Sequence, residues 1–191
     1  MITEKDILEG CISGKREFQE LLYRRYSGKM FALCVRYCHN REEAEDVLQN
    51  GFITVFKNIG NFRGEGSFEG WIRRIIVNTA LMHLRSKKNE LNFSDVEELG
   101  AKAHPESQFD TASQINANEL KKMLERLPEG YRLVFNLYAI EGYAHKEIAE
   151  MLGISEGTSK SQLSKARNYL QEMLKKIMAE TSTEKNNERK V

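Results

Sequence analysis

Apolar positions recur at three- and four-residue intervals over most of the chain, the period of helices that bury one face. Phe18, Leu21, Leu22 and Tyr26, then Phe31, Leu33, Val35 and Tyr37, predict a long helix from about Arg16 to Cys38, with Ser27-Gly28 as its weak point. Asn40 is placed to cap a second helix, whose start gathers Glu42, Glu43, Glu45 and Asp46 at the positive end of the helix dipole. Ala44, Val47, Leu48, Phe52, Val55 and Phe56 form its apolar stripe. The run Phe52–Phe56 has strand propensity, but the helical spacing around it outweighs that. A glycine-marked loop, Gly60 to Gly66, leads to Ser67 as N-cap of a helix from Phe68 to about Lys87.

That third helix carries two faces. Ile72, Ile75, Ile76 and Thr79 form the expected core stripe, and His83 falls with them as a packing residue. Arg74, Asn78, Leu81 and Arg85 stack on another face, with Trp71 at its edge and Phe62 ahead of the loop. Cations that track phosphates, beside rings that accept unstacked bases, suit single-stranded nucleic acid. On these residues alone, a solvated basic face beside a core tryptophan fits equally well.

Further along, Leu120, Met123, Leu124 and Leu127 predict a helix that stops before Pro128. Pro128-Glu129 opens another, with Leu133, Val134, Leu137 and Tyr138 as its apolar face. After Gly142, the run Tyr143 to Ser155 reads as a short helix, a glycine turn at Gly153 and a new N-cap at Ser155. A longer helix follows from Glu156 to about Met178, with Leu163, Ala166 and Leu170 on one side. Gly157, Lys160, Ser161, Ser164, Lys165 and Asn168 lie on the other, flanked by Arg167. This is the pattern of a helix-turn-helix whose second helix enters the DNA major groove, the alternative being a plain helical hairpin. Ser159 falls on the apolar side and breaks the pattern.

Composition narrows the class. The chain has 191 residues, 40% hydrophobic and 30% charged, enough for a folded core in one domain or two small ones. Only 2 prolines and 13 glycines punctuate it, which favours helices over a many-turned sheet. The net charge of +1 argues against a nucleic-acid partner only if it is evenly spread, and it is not. Residues 63–88 hold six basic against two acidic residues, a surplus of +4, and residues 143–178 hold +2. Residues 89–119 hold one basic against seven acidic, −6. With Pro105 and the loss of helical period, this divides the chain into a domain over 1–88, a flexible acidic linker over 89–112, a domain over 113–178 and a polar, frayed tail over 179–191. The linker acids either stay solvated or mimic nucleic acid in a basic groove.

The longest apolar run, Met30 to Val35, falls far short of the ~18 residues of a membrane span, so no membrane insertion is expected. The N-terminal residues Met1 to Asp6 carry acids early and lack a signal-peptide core. Three cysteines leave one over from any pairing, which points to reduced thiols and a cytoplasmic setting. Cys34, Cys38 and His39 have no second ligand pair, so they are read as packing residues, and neither a metal nor a cofactor is expected. No nucleophile–base pair or glycine-rich phosphate loop points to an enzyme.

Over roughly residues 10–176 the chain resembles a bacterial RNA polymerase sigma factor of the extracytoplasmic-function type, within the sigma-70 family. The likeness to sigma domain 2 rests on Phe18 to Tyr26, Glu43 to Phe52 and Phe62 to Asn78; that to sigma domain 4 rests on Leu127 to Phe135 and the helix-turn-helix ending Lys165-Ala166-Arg167. The resemblance implies an all-α protein of two small helical domains joined by the flexible acidic linker, acting as a promoter-specificity subunit. Its implied partners are core polymerase, through the β′ clamp helices and the β subunit, promoter DNA and an anti-sigma factor. By the resemblance, Asp46, Gln49 and Phe52 contact core polymerase. Phe62, Arg63, Gly64, Ser67, Trp71, Arg74, Asn78 and Arg85 bind and melt the −10 element. Lys160, Ser161, Ser164, Lys165 and Arg167 face the −35 element. Met82 stands where the family often has Asp, and Lys160, Gln162 and Lys165 stand where Arg is common; Lys lacks the planar fork that reads guanine bidentately. A stand-alone regulator using only the helix-turn-helix would leave the Trp71 helix and the acid-rich helix before it unexplained, and a helical adaptor without DNA binding would tolerate loss of Lys160 and Lys165.

Overall fold

The structure, a computed structural model, describes residues 2–90 and 117–188. Among the described residues all regular structure is helical, and the chain divides after Val96 into two compact units.

The first unit opens with α1 (Glu4–Ile12), which the apolar pattern alone does not announce. A reciprocal cap starts it: Thr3 Oγ1 accepts from the Asp6 N–H at 3.2 Å, and the Asp6 carboxylate accepts from the Thr3 N–H at 2.7 Å. The Thr3 N–H, and the Thr3 hydroxyl that donates to the same carboxylate at 2.7 Å, hold the Asp6 carboxyl below its ordinary range. Helix α2 (Arg16–Tyr37) runs unbroken through Ser27-Gly28, because Leu22, Tyr26, Met30 and Leu33 anchor both halves in the core. Helix α3 (Arg41–Asn58) is capped by Asn40, whose Oδ1 accepts the Glu43 N–H at 2.8 Å. A 3₁₀ turn, Ile59–Asn61, and the glycine loop lead to α4 (Phe68–Glu90).

Helices α2, α3 and α4 pack against one another. The buried face of α4 is Phe68, Ile72, Ile76, Val77, Ala80, Leu81 and Leu84, rotated from the expected stripe; Ile75 and Thr79 are only half-buried at its border. Leu81, expected on the basic face, is 4% exposed. At Gly51 α3 lies against α4, and a Cβ there would clash with Ile76 Cδ1. Gly51→Val is therefore expected to destabilise the unit by about 1–3 kcal/mol through overpacking. Thermal unfolding checks this. With Ile76→Ala added, the combined cost should fall below the sum of the single costs, since the two side chains compete for one space. An unchanged melting temperature for Gly51→Val would contradict the packing.

The second unit contains α5 (Ala117–Glu125), α6 (Glu129–Phe135), a π-helical turn (Asn136–Ile140), α7 (His145–Leu152) and α8 (Glu156–Glu188). Met123 and Leu127 from the first part meet Ala166, Leu170 and Leu174 of α8 in its core. Helix α8 does not end near Met178 as expected. Neither glycine nor proline follows Gly157, and the helical backbone continues to Glu188, through most of the segment expected to fray. The expected linker, 89–112, lies outside the described residues apart from Asn89 and Glu90, which continue α4. Among the described residues no helix is long and apolar enough to cross a membrane.

Candidate nucleic-acid interface

In the first unit, the loop before α4 turns on Gly64 (φ +76°) and Gly66 (φ +85°), a left-handed geometry that side chains resist. Arg63, Gly64 and Ser67 are exposed on it. Ser67 caps α4, its Oγ accepting the Gly70 N–H at 3.0 Å. Around this cap the rings gather. Phe62 lies 5.0 Å from Phe68 and 5.6 Å from Trp71, and Phe68 stacks on Trp71 at 5.8 Å and 12°. Trp71 is half-buried against Phe68 and borders the exposed basic row.

That row is Arg74, Asn78 and Arg85, all exposed, with Met82 (67% exposed) on the same side and Leu81 turned inward. Two ion pairs reshape its charge. Lys29 of α2 holds Glu69 at 2.7 Å, which offsets an acid at the head of the helix. At its far end Lys87 lies 2.5 Å from Glu43 of α3, so part of the +4 surplus is spent inside the protein. The Lys87 hydrogen bond is the largest cause holding the Glu43 carboxyl below its usual range. His83 is half-buried with Nε2 3.8 Å from Glu43, consistent with a packing role. These partners stand forty or more residues apart in the chain, and no local pattern marks them.

On α3, Asp46 and Gln49 are exposed, in line with Ile53 at 50% exposure. Phe52 is not at this surface. It is 2% exposed, its ring edge-on to Tyr23 at 4.8 Å, so it supports the helix from inside rather than offering a contact. Cys34 and Cys38 are buried in the same unit, and burial pushes the Cys34 thiol up to about 12.

In the second unit the turn forms as expected. Gly153 closes α7 at φ +68°, and Ser155 Oγ accepts the Thr158 N–H at 3.0 Å to start α8. Leu163, Ala166 and Leu170 face the core. Lys160 and Ser161 are exposed, Ser164, Lys165 and Asn168 half-exposed along the same side. Lys160 makes only a loose 3.9 Å surface pair with Glu156, leaving its charge available. Arg167 is held with its guanidinium 5.9 Å from the centre of the Tyr138 ring. Ser159, out of pattern in the sequence, is fully buried with its hydroxyl 2.8 Å from His145 Nδ1. The arrangement joins a basic row beside clustered rings, on one unit, to a capped helix-turn-helix on the other.

Comparison with known proteins agrees with both halves. The Sigma-70 region 2 model matches residues 22–90, and the Sigma-70 region 4 model matches residues 117–170. The RNA polymerase sigma-H factor of Pseudomonas aeruginosa is 28% identical over 186 residues, covering 93% of this chain and 96% of that one. The ECF RNA polymerase sigma-E factor of Haemophilus influenzae is 28% identical, covering 93% and 98%. Among solved structures, the sigma factor RpoE of Bartonella quintana, in complex with the anti-sigma factor NepR, superposes with a TM-score of 0.53 at 22% identity, over 82% of this chain and 96% of that one. CnrH, in complex with the cytosolic domain of CnrY, gives a TM-score of 0.50 at 20% identity over 88% and 95%.

Proposed function

The chain belongs to the sigma-70 family as a factor of the extracytoplasmic-function type, a transcription-initiation specificity factor and not an enzyme, and from that premise we propose that it binds core polymerase, reads −35 and −10 promoter elements and melts the −10 region. The observation that carries this is the pairing, on one chain, of the exposed Arg74–Asn78–Arg85 row beside the Phe62–Phe68–Trp71 rings with a helix-turn-helix that presents Lys160 and Ser161. The rings and cations of α4 fit an unstacked strand, since ring faces accept bases and cations follow phosphates. The small and basic residues of α8 fit a major groove. Core polymerase docks, in this reading, on the exposed face of α3, with the β′ clamp helices as the partner for Asp46 and Gln49 and the β subunit engaged by the second unit. An anti-sigma factor is a further proposed partner, supported by RpoE having been solved in complex with the anti-sigma factor NepR and CnrH with the cytosolic domain of CnrY.

Binding to core polymerase tests the first step. Asp46→Ala with Gln49→Ala should weaken association about tenfold in a titration of labelled protein against core enzyme, as loss of a central contact does at other interfaces. Phe52→Ala should instead lower the melting temperature, a buried Phe→Ala change costing about 3–5 kcal/mol. Unaltered affinity for the Asp46/Gln49 variant would remove α3 as the docking face.

A further inference from the structure

His145 opens α7 and Ser159 lies in the first turns of α8, yet Nδ1 and Oγ are 2.8 Å apart. Ser159 is 0% exposed, on the face of α8 that otherwise buries Leu163 and Ala166. The Tyr138 ring, from the π-helical turn, stacks on His145 at 4.5 Å and 20°. The Arg167 guanidinium sits over that same tyrosine at 5.9 Å. A column of Arg167, Tyr138 and His145 thus ends on a buried hydroxyl, and it ties the π-helical turn, α7 and α8 together.

Apolar contacts tolerate small rotations of one helix on another, whereas a hydrogen bond at 2.8 Å has a narrow range of distance and angle. We propose that His145 and Ser159 are positioning residues for −35 reading: their hydrogen bond fixes how the N-terminal half of α8 seats on α7, and the Tyr138 column holds Arg167 at its flank. Lys160, Ser161 and Arg167 then meet DNA as one preset group. This rests on the −35 reading of α8.

The geometry also sets a protonation requirement. With His145 neutral and its proton on Nε2, the Ser159 hydroxyl donates to Nδ1. Protonated, Nδ1–H must itself donate, and the buried hydroxyl loses its acceptor. Burial pushes the His145 pKa below the ordinary 6.5, Lys160 and Arg167 of α8 push it the same way, and Glu156 of α8 opposes them; Tyr138 faces the ring uncharged. A lowered folded-state value means the Ser159 hydroxyl keeps Nδ1 as its acceptor above 6.5 and loses that acceptor as pH falls through the lowered value.

The test uses the full chain with core polymerase on two templates, a promoter that carries a −35 element and a pre-melted fork that carries only the −10 element. His145→Phe keeps a ring for Tyr138 but removes the acceptor, and Ser159→Ala removes the donor. Each should lower transcription from the −35 promoter about fivefold and leave the fork template within about twofold of wild type, the scale of one net hydrogen bond. The double variant, an apolar pair, should recover to within about twofold of wild type on both templates. His145→Asn, whose amide oxygen falls near the position of Nδ1, should retain most activity. The ratio of −35 to fork activity should fall below pH 6.5 for wild type and stay flat for the double variant. Single variants that match wild type, equal losses on both templates, or a double variant as poor as the product of the singles would each overturn the proposal. If wild type itself ignores the −35 element, the DNA reading of α8 fails and this inference with it, a result separate from the others.

Discussion

Trp71→Ala combined with Arg74→Ala should slow promoter opening about 30-fold or more and change closed-complex binding less than about threefold. Opening DNA costs a few kcal/mol per unstacked step, and a ring that takes an unstacked base returns about 1–3 kcal/mol. Arg74 is exposed on the side of α4 that Trp71 borders, placed to hold the phosphate beside such a base. Trp71 also packs on Phe68 at 5.8 Å, so its truncation costs fold stability as well. Two controls separate the effects. Trp71→Phe with Arg74→Ala keeps a ring against Phe68, and pre-melted templates remove the opening cost altogether. Recovery on the pre-melted template supports the melting role, and equal defects on both templates refute it.

Lys160→Glu with Lys165→Glu should reduce transcription from a promoter with a −35 element about 30-fold or more, each lost contact being worth about 1–3 kcal/mol and the new acids repelling phosphate. The fold is not at stake at Lys160, whose ion pair with Glu156 at 3.9 Å is exposed. The alanine pair should be milder and lower the salt dependence of binding by about two phosphate contacts. The effect should vanish on a template that lacks the −35 element. A loss of the same size there would mean that α8 acts elsewhere than at DNA.

The helix caps and the glycine turn are legible in the sequence. Asn40, Ser67 and Ser155 cap helices through hydrogen bonds to the residues three places on, and Gly153 takes the left-handed turn. These are local rules, so one stretch of sequence contains all that is needed. What escaped depends on the third dimension or on weak local signals. Helix α1 buries only Ile7, Gly10 and Cys11, and two of those three carry little apolar signal. Leu81 turns into the core because neighbouring helices decide which way its face points, and Phe52, on the apolar stripe of α3, is buried there instead of offering the polymerase contact the resemblance implies. Ser159 stands out of pattern on an apolar face because its partner, His145, lies across the turn. Charge was similarly divided: the surplus over 63–88 is real, but Lys87 is engaged by Glu43. The modest net charge of each block proposed to face DNA fits a protein held at promoters by polymerase, with weak and salt-sensitive affinity for free DNA.

Run-off transcription with purified protein and core polymerase, across a library of candidate promoters, tests the central claim most directly. The account predicts discrete transcripts from a subset of templates that share −35 and −10 sequences, and none from core enzyme alone. Silence on every template, with an active and compatible core enzyme, would contradict it.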